Sequence, residues 1–201
     1  MSRYKPFMKV GTGLWALDKG AGMIELNLLD TLVAELKKVF ADYQLPAKSG
    51  LLQNVKVFAQ YMPQPSSIEF NDDSEENTTP QGYSATDIEE NFPCIVVKLD
   101  DTQIKEENTL DAMRINVRLL IGTYDESTDC QGYRDVLNII EKTQQFLLSM
   151  PNRILDGRYI LKMPMQSYLF DEQPFPIYFG QIETVWETAR PVMPNYYGIT
   201  N

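Results

Sequence analysis

The side chains best able to do chemistry in this chain are its carboxylates, because it contains no histidine. Ser-His-Asp and Cys-His pairs are therefore excluded within it, as are histidine-bearing zinc sites, leaving carboxylate, Lys, Tyr or Arg chemistry. The acids are densest in residues 63–93, PQPSSIEFNDDSEENTTPQGYSATDIEENFP, which hold eight acids and no base. Asp72, Asp73, Glu75 and Glu76, followed by Glu89 and Glu90, are the right donors for a hard cation. The run nevertheless lacks the alternating ligands, central Gly and terminal Glu of a calcium loop, so it reads as a solvated acidic loop with no metal site. GTGLWALDKGAG offers glycines to a phosphate, but no strand is expected before it and neither glycine-loop spacing is present. No cofactor is implied.

Arg114 and Arg118 fall on one face of a strand and raise the question of an anion site. The reading adopted is a solvated face, or pairing with acids across a subunit boundary. Asp125, Glu126, Asp129 and Asp135 surround the start of a helix, where its dipole stabilises acids, so capping accounts for them without catalysis. Tyr168, Tyr178, Trp186, Tyr196 and Tyr197 have rings able to stack on a ligand, yet Tyr178 and Trp186 lie on a regular strand face and read as core. Cys94 and Cys130 have no CxxC partner and read as buried reduced thiols, with a disulfide as the alternative. No catalytic constellation emerges, and the chain is expected not to be an enzyme.

The elements that position these residues follow from periodicity. Residues 1–23 carry Arg3, Lys5, Lys9 and Lys19 against one acid, Asp18, and form a basic N-terminal arm. Apolar residues at Leu28, Leu29, Leu32, Val33, Leu36, Val39 and Phe40 predict a helix from Ile24 to about Tyr43. A half-buried strand is expected over 54–62, with Val55, Val57, Ala59 and Tyr61 on one side. The continuous CIVV of Cys94–Leu99 predicts a strand covered on both faces, and 113–121 alternates as a strand should. Gly132–Ser149 predicts a helix with Tyr133, Val136, Leu137, Ile140, Leu147 and Leu148 inward, capped by Ser127, Thr128 or Asp129. Two strands follow, Tyr159–Phe170 and Ile177–Thr188, the second with Tyr178, Gly180, Ile182, Thr184 and Trp186 on one face.

This order predicts an α+β fold, a mainly antiparallel β-sheet with two principal helices packed on one face. At 201 residues, one domain over 24–188 is expected, with the acidic insertion at 63–93 and a C-terminal tail at 189–201. The net charge of −10 and pI near 4.5 argue against a protein whose task is to grip nucleic-acid phosphates. No apolar run reaches a bilayer-spanning length, and no membrane segment or export signal is expected.

In the second half, FPCIVVKLDD, INVRLLIGTYDES, GYRDVLNIIEKTQQFLLS and YLFDEQPFPIYFGQIETVWE succeed one another over roughly 92–188. Their order resembles the tail-terminator, or tail-completion, proteins of long-tailed bacteriophages. The positions carrying the likeness are Pro93, Val96, Val97, Gly122, Tyr124, Gly132, Tyr133, Pro176, Tyr178, Phe179 and Gly180, which look like packing and turn positions. The resemblance implies a homo-oligomer, a ring of six at the head-proximal end of the tail tube. Such a ring stops tube growth and offers a joining surface to a neck or connector protein. Its partners would be the tail tube protein and the connector, with genome DNA passing through unbound; its place would be the virion tail, after assembly in the host cytoplasm. On that basis Asp72, Asp73, Glu75, Glu76, Asp100 and Asp101 are candidates for a DNA-repelling channel lining, and Arg3, Lys5, Arg114 and Arg118 for inter-subunit contacts. A neck adaptor or tail tube subunit is the alternative within virion parts, and a carboxylate-dependent metal hydrolase the alternative outside them. The arm, the acidic insertion and the tail ARPVMPNYYGITN depart from the compact pattern.

Overall fold

Alternation along the strands builds the sheet. In the computed structural model, residues 7–10, 14–17, 23–63, 89–105 and 112–189 are described, with backbone alone at 7–10, 14–17, 104–105 and 112. A hairpin of β1 (Phe7–Val10) and β2 (Leu14–Leu17) precedes helix α1 (Ile24–Val39). A short pair, β3 (Gln44–Pro46) and β4 (Leu52–Asn54), leads to β5 (Lys56–Ala59), β6 (Cys94–Lys105) and β7 (Ala112–Tyr124). Helix α2 (Gly132–Ser149) follows, then a 3-10 turn (Pro151–Arg153), β8 (Ile154–Leu155), β9 (Tyr159–Leu169) and β10 (Ile177–Ala189). The six-stranded sheet runs β5-β6-β7-β10-β9-β8, antiparallel except for β5 against β6. The fold is α+β, as the element order predicts.

Both helices cover the same face. Odd positions of β6 and β7, such as Ile95, Val97, Ile115, Val117, Leu119 and Ile121, join even positions of β10 in one core with α1 and α2. From α1, Leu28, Leu29, Leu32, Val33 and Leu36 are buried there. A 16-residue helix is marginal alone in water, so burial of this stripe, roughly 1.5–3 kcal/mol per large side chain as an upper estimate, holds it in place. Trp186 is fully buried in the middle of this core, its indole N–H donating to Thr184 Oγ1 at 3.0 Å. Lys142 of α2 stands over the rings of Phe40 and Tyr43, 5.8 and 5.3 Å from their centroids, tying α2 to the end of α1.

Several local expectations are corrected. The strand expected over 54–62 is divided between two partners: Asn54 ends the pairing with β3, and Lys56–Ala59 pairs in parallel with β6. It stops at Gln60, whose φ is +62 and whose side chain takes the place of a strand partner, accepting from Leu99 N at 3.0 Å and donating to Leu99 O at 3.3 Å. Ala59 and Tyr61 are consequently exposed. Parallel pairing needs a long crossover, and the chain between β5 and β6 contains the whole acidic stretch. Helix α2 has the predicted limits, but Ile139 and Thr143 face the core while Leu137 and Leu148 are 43% and 50% exposed. Its N-cap is Gln131, with no side-chain cap. Asp125 instead accepts from Ser127 N at 2.9 Å, and Asp129 from the Ser127 hydroxyl at 2.6 Å, so these acids and hydroxyls shape the preceding turn. Both cysteines are free; Cys94 is buried, but Cys130 is exposed.

Candidate assembly surface

The sheet face away from the helices has two halves of different chemistry. One half is apolar: Phe92, Cys94, Val96 and Tyr124 are buried there, with Phe58, Met62, Leu120, Ile177 and Phe179 packed around them. Between them lies a hollow of about 160 Å³, lined by Met62, Cys94, Val96, Leu120, Phe170 and Phe179 and floored by the backbone of Gly122 and Gly180. Glycine is needed at the floor, because a Cβ on Gly122 would stand 2.3 Å from Phe92 Cε1 and one on Gly180 2.8 Å from Val136 Cγ1. Gln173 braces the rim, its amide oxygen accepting from Phe179 N at 2.5 Å and its nitrogen donating to Phe179 O at 3.0 Å. Burial pushes the Cys94 thiol up to about 12, which removes it as a nucleophile at neutral pH.

The other half is a lattice of matched charges. A bulge in β6, where the register against β7 shifts between Leu99 and Thr102, interrupts alternation. It places Asp100 against Arg118 and Asp101 against Asn116. Arg118 meets the Asp100 carboxylate through Nη2 and Nε, and Asp101 accepts from Asn116 Nδ2 at 2.8 Å. The amide donors Asn116 and Gln103 hold the Asp101 carboxyl below its usual range, and the Asp100 hydrogen bond raises the Arg118 pKa further. Glu187 lies between Lys162 and Arg114, the latter at 3.5 Å, and these partners, Lys162 foremost, hold its pKa down against burial. Glu183 accepts from Tyr168 Oη at 3.0 Å and Gln181 Nε2 at 2.8 Å.

Of the residues singled out by sequence, Arg3, Lys5, Asp72, Asp73, Glu75 and Glu76 lie outside the described residues. The structure brings Asp100, Asp101, Arg114 and Arg118 together on this face. Arg114 and Arg118 find acids within their own chain, so neither requires an acid across a boundary for neutralisation. Asp100, paired with Arg118, presents a dipole rather than a bare negative charge. Sequence reasoning missed Glu183, Glu187 and Lys162, which strand register alone places beside the arginines. It also missed the hollow, whose signal is the appearance of apolar Leu120 and Phe179 in the outward set of their strands.

Among the described residues, no three acids or cysteines gather to hold a metal ion, and no helix is long and apolar enough to cross a membrane. The chain matches no family model and no curated protein sequence. Two glycines of the sequence resemblance pack against aromatic rings on opposite faces of the sheet: Gly122 beneath Phe92 and Phe179 in the apolar half, and Gly132 against the Tyr178 ring on the helix-covered side, where a Cβ would lie 2.4 Å away.

Proposed function

We propose that this chain is a virion structural protein that assembles into a ring, of six copies, at the head-proximal end of a bacteriophage tail tube, stops tube growth, and offers the surface to which the head joins. The observation that carries the reading is the sheet face that no described element covers: an apolar hollow beside a charge lattice already neutralised within the chain. Such a surface buries well against protein, since it combines an apolar centre with paired charges that need no new partners. The order of motifs over 92–188 supports the tail-terminator assignment, and the positions carrying it serve packing rather than turnover.

In this reading the tail tube protein and a neck or connector protein are the partners, and DNA passes through the ring unbound. With Asp100 and Asp101 engaged by Arg118 and Asn116, repulsion of passing phosphates falls chiefly to Asp72, Asp73, Glu75 and Glu76. The protein acts in the virion tail after assembly in the host cytoplasm. Light scattering of the purified chain, alone and with tail tube protein, tests the reading. A closed species near six times the 23.1 kDa chain mass is expected, alone or on tube ends. Unlimited polymerisation would mark a tube subunit instead, and a ring that binds connector but not tube a neck adaptor.

A further inference from the structure

We propose that two edges of the six-stranded sheet, β5 of one copy and residues 167–170 of the next, pair antiparallel and carry the sheet from copy to copy. This rests on the self-association of the proposed function. β5 ends the strand order on one side. On the other, β8 pairs only as Ile154↔Ile160 and Leu155↔Tyr159, so past Ile160 the outer edge of β9 meets no strand among the described residues. A bulge interrupts β9 opposite Thr184, and regular pairing with β10 resumes at Gln166. An edge of this kind presents unpaired N–H and C=O groups to any strand of matching sense and level.

The two edges match in both respects. Across the ladder, Val57, Ile95, Ile121, Gly180 and Leu169 stand in one row, and Phe58, Val96, Leu120, Gln181 and Tyr168 in the next. β5 is parallel to β6, and three antiparallel steps follow, so β5 runs opposite to β9. A copy added head to tail therefore brings its β5 antiparallel to β9 on the same rows. The hydrogen-bonding groups match as well. Lys56 N and Gln60 N donate inward, to Pro93 O at 2.9 Å and Val97 O at 2.8 Å, so alternation turns the backbone groups of Val57 and Ala59 outward. Phe170 N donates inward to Phe179 O at 3.1 Å, which turns those of Leu169 and Ser167 outward. Row matching thus sets Val57 opposite Leu169 and Ala59 opposite Ser167, each a hydrogen-bonded pair.

Side chains agree on each face. Val57 and Leu169 both belong to the helix-side core, while Phe58 packs with the opposite apolar half and Tyr168 is 45% exposed there, so the contact sets aliphatic against aliphatic and ring against ring. Charge agrees too: Lys56 Nζ donates to a carbonyl, Glu90 O, with no acid paired to it among the described residues, and it would come beside the exposed Asp171.

The test uses full-length chains carrying Ala59→Cys and Ser167→Cys together in a Cys130→Ser background, oxidised after assembly. Both positions are exposed, and within one chain they lie four strand spacings apart, about 19 Å, too far for a disulfide, so every link joins two copies. A ladder of linked chains is expected on non-reducing gels, with linked product on the order of a hundredfold above either single-cysteine variant, because pairing raises effective concentration. A second pair, Phe58→Cys with Tyr168→Cys, repeats the test on the opposite face should the first disturb folding. Equal linking by the single variants would overturn the head-to-tail pairing. Rings seen by light scattering with no link from either pair would overturn the edge contact while leaving the ring. Monomers without links, even with tail tube protein present, would overturn both.

Discussion

A methyl group added at Gly122 tests how tightly the apolar half is built. The Cβ of Gly122→Ala would meet Phe92 at 2.3 Å from Cε1 and 2.8 Å from Cδ1, and Phe179 at 3.1 Å from Cε1. Carbon contacts are comfortable at about 3.5–4.0 Å, so the Phe92 ring must retreat by roughly 1 Å. It has little room: Phe92 is 1% exposed and packs edge-on against Phe179, with centroids 5.7 Å apart. Overpacking of this kind costs about 1–3 kcal/mol. At about 2–4 °C per kcal/mol for a chain of this size, the melting temperature should fall by roughly 2–12 °C. Thermal unfolding followed by circular dichroism measures it. Gly50→Ala is the control for backbone strain alone, since Gly50 has φ +72 and nothing within 4 Å of its added Cβ. A Gly122→Ala melting temperature within about 1 °C of the parent would refute the packing argument.

Trp186→Ala removes the largest fully buried side chain and should cost about 3–5 kcal/mol, read as a lower urea midpoint with an unchanged slope. Glu187 is held below its ordinary value of 4.5, so its contribution is fully present above that pH and is lost as pH falls through the depressed folded value. Glu187→Gln should therefore lower stability at neutral pH by no more than about 1 kcal/mol, since Arg114 and Lys162 are about 40% exposed, and should flatten the loss of stability below pH 4.5 in denaturant titrations. Thiol labelling at neutral pH should modify Cys130 in the native protein, and Cys94 only after denaturation, because burial pushes Cys94 up to about 12. Rapid native labelling of both would contradict the burial of Cys94.

Periodic segments were readable because one face of each is buried. The alternation of 113–121, the shared face of Tyr178, Gly180, Ile182, Thr184 and Trp186, and both limits of α2 follow from that burial alone. Pairings between distant segments were not readable. Nothing local distinguishes Lys56–Ala59 as a parallel partner of β6, and the bulge that turns Asp100 and Asp101 to one face depends on the register of β7. Leu137 and Leu148 misled because apolar residues on an outer helix face look the same in sequence as those on an inner one. The charge lattice was half legible: Arg114 and Arg118 stood out, while Glu187 and Lys162 come from strands far along the chain and meet only through β10.

The most direct test of the terminator assignment is the length and end structure of tail tubes assembled in vitro with increasing amounts of this protein, viewed by negative-stain microscopy. The account predicts tubes that stop growing and carry one ring of added density at a single end, at a stoichiometry of one ring per tube. Tubes that lengthen unchanged, with this protein left in solution, would contradict it.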